Sequence, residues 1–165
     1  MTGGYLVDTD WVINHFNGIR AVTGRLQQLR SAGLAISILS LAELYEGIHY
    51  SLDPTRSEAA LQRFLAGVSV LGVDEEICRV FGRERGRLRR QGRMIGDFDL
   101  LIAATCLRHD LEICTNNRRH FEVVMTIVAV GERDEEPGIR NAPHERANPL
   151  REDRSAGPGP SRPAA

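Results

Sequence analysis

Short apolar, strand-like runs alternating with helix-like stretches constrain this chain more than any other feature. Tyr5–Val7 is the first candidate strand, followed by a helix carrying Trp11, Val12, Ile13 and Phe16 and stopped at Gly18. A helix over Ile19–Arg30, with Val22, Leu26 and Leu29 on one face, leads through Gly33 to a strand over Leu34–Leu39. Leu41–Ser51 has a helical pattern, Pro54 breaks it, and Glu58–Leu65 resumes it. Val68–Val73 reads as a strand, Glu75 to Gly92 as a helix, and Leu100–Leu107, apolar almost all round, as a buried helix. Leu111–Cys114 and Thr126–Val130 complete the strands. Helices between strands imply parallel pairing, because a crossover returns the chain to the sheet in the same direction. The expected fold is α/β: three α/β/α layers around a parallel central sheet.

The alternation stops near Gly131. Six of the seven prolines lie beyond it, among Gly, Arg and Glu and with few large apolar residues. Such a segment cannot bury enough surface to offset its ordering entropy. The expected organisation is therefore one domain over 1–131 and a disordered tail over 132–165. A chain of 165 residues with 42% hydrophobic content supports one such core.

Composition excludes several classes of function. All 21 basic residues are arginine, so no mechanism can use a catalytic lysine. The five histidines show no HxH or HExxH spacing, and no serine lies in a GxSxG-type elbow, so neither zinc nor Ser/His/Asp chemistry is supported. Cys78, Cys106 and Cys114 form no CxxC pair and read as buried free thiols in a reducing compartment. No apolar run reaches the roughly 20 residues of a membrane span and no signal peptide is evident, so a cytoplasmic protein without membrane contact is expected.

What remains is a set of acidic and amide motifs where strands give way to helices: Leu6-Val7-Asp8-Thr9-Asp10, Ser40-Leu41-Ala42-Glu43, Gly96-Asp97-Phe98-Asp99 and Thr115-Asn116-Asn117. The carboxyl ends of parallel strands share one edge, where ligands bind, so these groups would converge. Carboxylates brought together raise one another's pKa unless a cation compensates them. Magnesium does so with a few carboxylates while keeping waters for a phosphate. Each motif also fits helix capping: Asp8 as an N-cap, Ser40 and Glu43 as a capping box, Asp97 and Asp99 before the buried helix, Asn117 before Phe121. Capping leaves the doubled acids unexplained. The run Arg83 to Arg93 fits either a solvated helix face or a basic flank for a phosphate backbone.

In these motifs the chain resembles the PIN-domain ribonucleases, most closely the VapC-type toxins of bacterial toxin–antitoxin pairs. The resemblance runs from Tyr5 to about Val130 and is carried by Leu6 to Ile13, Ser40 to Gly47, Ile95 to Ala104 and Thr115 to Phe121. It places the family's acids on Asp8, Glu43 and Asp99, with Asp97 an extra carboxylate. The fourth position, often aspartate, is Asn117, and a family aspartate before Phe121 is His120. The resemblance implies metal-assisted hydrolysis of RNA. Asp8, Glu43 and Asp99 would hold Mg2+ or Mn2+, Asp97 would orient a water or bind a second ion, and Asn117 would hold a water or a phosphate oxygen. It also implies an RNA substrate, a cognate antitoxin and a homodimer. Leu26, Leu29 and Ile48 are candidates for the antitoxin surface, with core packing as their competing role.

Two other readings remain open on the residues. Asp8-Thr9-Asp10-Trp11-Val12 is similar to the nucleophile motif of haloacid-dehalogenase phosphatases, although these use a basic residue, usually lysine. A PIN-like module that binds without cleaving is the second.

Overall fold

The computed structural model describes residues 4–125 and 127–128. The first strand, β1 (Tyr5–Val7), runs straight into Asp8, whose carboxylate accepts the Thr9 N–H and caps α1 (Thr9–Phe16). Then follow α2 (Arg20–Leu29), a 3-10 turn at Arg30–Ala32, β2 (Leu34–Ser37), α3 (Ile38–His49) and α4 (Pro54–Leu65). The chain continues through β3 (Val68–Leu71), α5 (Glu75–Arg90), α6 (Asp97–His109), β4 (Glu112–Cys114), α7 (Arg118–Phe121) and β5 (Ile127–Val128). All neighbouring strands are parallel, in the order β3-β2-β1-β4-β5. The expected tail from 132 onward, and 126, 129 and 130 of the last expected strand, lie outside the described residues.

Side chains alternate across the sheet and build a core on each face. Val7, Leu34, Ile36 and Cys114 pack with Trp11, Val12, Val22, Leu26, Leu29, Leu44 and Leu61 from α1 to α4. Leu6 and Ile113 point the other way, onto Ile102, Ala103 and Cys106 of α6 and onto Phe121. Leu88 of α5 completes that side with Ile95 and Leu100. The three-layer α/β/α expectation is therefore met. Leu26 and Leu29 are buried in the core and Ile48 packs against it, so packing is the role these residues show.

Several expected boundaries shift for identifiable reasons. The second strand ends at Ser37 rather than Leu39, and α3 begins without an intervening loop. Ser37 is both the last strand residue and the cap, its Oγ accepting the Leu39 N–H at 3.2 Å. The capping box expected at Ser40 and Glu43 therefore does not form. Ser40 lies inside α3 with a buried Oγ that bonds nothing among the described residues, and Glu43 is free to face α1. Pro54 starts α4 instead of breaking a helix, since its missing N–H costs nothing at the first helical position and Asp53 caps the Arg56 N–H. The buried helix extends to Asp97–His109 with Gly96 as its cap, so neither Asp97 nor Asp99 caps it. Cys78 is exposed, not buried: it neighbours the inward-facing Ile77 and lies about 100° round the helix from it.

The orphaned Ser40 hydroxyl yields a prediction. Ser40→Ala removes a desolvated group that bonds nothing and adds helix propensity. Thermal unfolding should show stability unchanged or raised, by up to about 1 kcal/mol.

Candidate active site

The sheet order sets the location of the site. The chain first builds outward from β1 through β2 to β3, then crosses back to place β4 on the other side of β1. The carboxyl ends of β1 and β4 therefore flank the point where the order reverses, the usual ligand crevice of an open α/β sheet. Asp8 leaves β1 there, its N–H bonded to the Cys114 carbonyl at 3.0 Å, and Thr115–Asn117 leave β4 beside it.

Asp8 is buried and held at both oxygens. Oδ1 accepts the Thr9 N–H at 2.8 Å, and Oδ2 accepts the Thr115 hydroxyl at 2.9 Å. Thr9 turns its own hydroxyl to Glu43 Oε2 at 2.5 Å, joining α1 to α3. Thr115 Oγ1 in turn accepts the Asn117 N–H at 3.0 Å. The Asn117 side chain lies 2.9 Å from His120 Nδ1, and that nitrogen is 2.6 Å from Asp99 Oδ2. One hydrogen-bonded path thus runs Glu43, Thr9, Asp8, Thr115, Asn117, His120, Asp99. It collects four expected site residues from three separated motifs and β4.

Asp97 is not on that path. It is exposed and paired with Arg85 of α5, a largely buried guanidinium that also donates to the Ile95 carbonyl and lies over the Phe81 ring. Arg87 is likewise engaged, with Glu84 and the Val123 carbonyl. Burial raises the pKa of Glu84, but its bonds to Arg87 and Arg83 outweigh this and hold it below the ordinary range. Two arginines of the basic run thus tie α5 to the start of α6 and to the turn after α7. Arg89, Arg90 and Arg93 stay exposed.

Electrostatics single out Asp8. Burial foremost, then the like charge of Asp10, drive its pKa up to about 7, against the bonds from Thr9 and Thr115, and Glu43 adds to the rise. Asp10 is also raised, chiefly by burial. Its Oδ2 accepts the Asn116 N–H at 2.8 Å, while Oδ1 is buried without a partner among the described residues. Trp11 Nε1 donates to Asn116 Oδ1 at 3.1 Å, fixing the loop that follows β4 to α1. Thr9, Asp10, Thr115 and Asn116 lie within the sequence motifs but not among the expected site residues. The available signal was their position: each flanks an acid or amide at the end of β1 or β4, which are sheet neighbours.

Oxygen-only donors, a carboxylate raised by burial and like charge, and an unpartnered Asp10 oxygen are conditions a hard divalent cation would relieve. Among the described residues, no three His, Cys, Asp or Glu side chains close around one point. The acids are linked rather than caged, which suits an ion that takes one or two carboxylates and keeps its waters. A nucleophilic Asp8, as a phosphatase would need, is disfavoured because both its oxygens are engaged and the side chain is buried.

Comparison with known proteins agrees with this geometry. The family model described as "PIN domain" matches residues 5–125. The tRNA(fMet)-specific endonuclease VapC of Shigella flexneri is 33% identical over 120 residues, covering 73% of this chain and 91% of that protein. Ribonuclease VapC10 of Mycobacterium tuberculosis is 39% identical over 117 residues, covering 70% and 84%. Among solved structures, DNA-bound VapBC from Salmonella typhimurium superposes with a TM-score of 0.68 at 30% identity, covering 75% of this chain and 94% of that one. VapBC2 from Rickettsia felis, bound to a promoter DNA fragment, gives 0.69 at 25% identity, covering 75% and 95%. With its acids on the carboxyl edge of the sheet and its match extending over most of the described residues, the chain belongs to the PIN-domain family, in the VapC ribonuclease branch.

Proposed function

We propose that this protein is a divalent-metal-dependent endoribonuclease, the toxin of a toxin–antitoxin pair. The observation that carries this reading is the path joining Glu43, Asp8 and Asp99 at the switch point of the sheet, with Asp8 held near neutrality by burial and neighbouring acids. Asp8, Glu43 and Asp99 would hold Mg2+ or Mn2+, directly or through its waters. Bound there, the ion would supply a water of lowered pKa and positive charge for the phosphate. Thr9 and Thr115 keep the Asp8 carboxylate in one orientation, and Thr9 does the same for Glu43. Asn117 offers a neutral amide where a fourth acid would repel the substrate. Asp97 fixes the start of α6 through Arg85 and stands outside the proposed ligand set.

The names of the relatives support RNA as substrate, and the solved complexes support a cognate antitoxin as partner. A homodimer acting in the cytoplasm completes the reading; no helix among the described residues is long and apolar enough to cross a membrane. The exposed Arg89, Arg90 and Arg93 offer charge to the RNA backbone, which makes binding salt-dependent.

The test is cleavage of tRNA and structured RNA by purified protein with Mn2+ or Mg2+. Wild type should cleave and EDTA should stop it. Glu43→Gln and Asp99→Asn should each lose about 100-fold or more, whereas Asp97→Asn should lose less than about tenfold. Absence of cleavage by folded wild type, or equal cleavage by the Glu43 and Asp99 variants, would favour the non-catalytic binding module. An Asp97 variant as weak as the Glu43 variant would return Asp97 to the ligand set.

A further inference from the structure

Asp8 is pinned at both oxygens and Glu43 at one, each by a threonine, whereas among the described residues no threonine bonds Asp99. The side-chain hydrogen bond that Asp99 makes among the described residues comes from His120, 21 positions away on α7. At 2.6 Å from a carboxylate oxygen, Nδ1 must carry the proton, because a carboxylate only accepts. With Nδ1 protonated, the Asn117 amide 2.9 Å away is assigned with its oxygen, not its NH2, toward that nitrogen.

We infer that His120 is a positioning residue for Asp99: its Nδ1–H holds Oδ2 so that Oδ1 is presented to the cation in a fixed direction. This rests on the metal-dependent reading above. Asp99 sits in the first turn of α6, its carboxylate beside the Gly96 cap, which has no side chain to hold it, so without His120 several staggered rotamers would be open to it. His120 thereby does for α6 what Thr9 and Thr115 do for the end of β1. A donor that orients a metal-holding carboxylate through its other oxygen is worth about 10- to 100-fold in metal affinity.

The experiment is calorimetric titration of the full chain with Mn2+, comparing wild type, His120→Ala and His120→Asn, with thermal unfolding of each apo protein as the control for folding. Asparagine places an amide N–H close to where Nδ1–H stands, so it should restore the bond that alanine removes. His120→Ala should bind Mn2+ about tenfold more weakly or worse, with apo unfolding little changed, and His120→Asn should bind close to wild type. Single-turnover RNA cleavage at saturating Mn2+ should show most of the His120→Ala loss recovered, since the defect lies in holding the ion. Wild-type affinity in His120→Ala would overturn the inference, as would a His120→Asn variant as weak as alanine. Wild type that binds no Mn2+ would instead overturn the metal reading itself.

Discussion

Asp8→Asn should eliminate RNA cleavage, by about 10³-fold or more, while making the metal-free protein more stable. The two effects share a cause. Asp8 lies in a desolvated site beside Asp10 and Glu43, and its pKa stands near 7. In the unfolded chain it titrates near 3.8. Between those values the native state holds a proton that the unfolded state has released, so stability falls as pH rises from about 4 to 7. Above 7 the favourable contribution of the protonated form is fully lost. Asparagine removes this loss. It keeps the Thr9 bond through its oxygen, and the Thr115 hydroxyl can turn to accept from its NH2. The gain in unfolding free energy should be small near pH 4, grow toward pH 7 and level off above it. Each pKa unit is worth about 1.4 kcal/mol, so a few kcal/mol is the ceiling at pH 8. Thermal melts of both proteins across that range check the sign. A variant less stable than wild type at pH 8 would mean that the Asp8 bonds outweigh its desolvation.

Divalent-ion affinity should rise about tenfold per pH unit up to pH 7 and flatten above it. Below about 7 the ion must displace a proton from Asp8; above it the carboxylate is already ionised. Mn2+ should therefore raise the melting temperature much more at pH 8 than at pH 6, reversing the metal-free trend. Proton release measured by titration in buffers of different ionisation enthalpy should approach one per ion at pH 6 and fall toward zero at pH 8.5. Affinity independent of pH between 5.5 and 7.5 would remove Asp8 from the ligand set. In Asp8→Asn the pH dependence should disappear together with most of the affinity.

The fold was legible because alternation of apolar runs is a long-range pattern that tolerates errors of a few residues at each end. Asp8 at the end of β1 and Asn117 after β4 marked the site for the same reason, since parallel strands share an edge. Asp97 and Asp99, by contrast, follow helix α5 rather than the expected strand-like run, and Glu43 lies in the second turn of α3. Capping was the harder matter. Ser37 and Ser40 are both plausible caps one turn apart, and because β2 runs directly into α3 the cap falls on Ser37, the last strand residue. That choice releases Glu43 to meet Thr9. Asp97 and Asp99 look equivalent in sequence. They diverge because Asp97 meets Arg85 from α5 whereas Asp99 meets His120 from α7, and neither partner is near them in the chain. The arginine run was ambiguous because a helix face carries both kinds of residue. Arg85 and Arg87 turn toward backbone carbonyls, while Arg89 and Arg90 turn to solvent.

Trp11 is the sole tryptophan of the chain, and it is fully buried, with its indole N–H bonded to Asn116. The Asn116 backbone N–H in turn bonds Asp10, the neighbour that raises Asp8. The molecule thus carries one tryptophan, excitable apart from its three tyrosines, two hydrogen bonds from its acids. Any ion drawn to that cluster should alter the emission of a single, unambiguous reporter, so that occupancy of the site and unfolding of the core can be read from the same unlabelled sample.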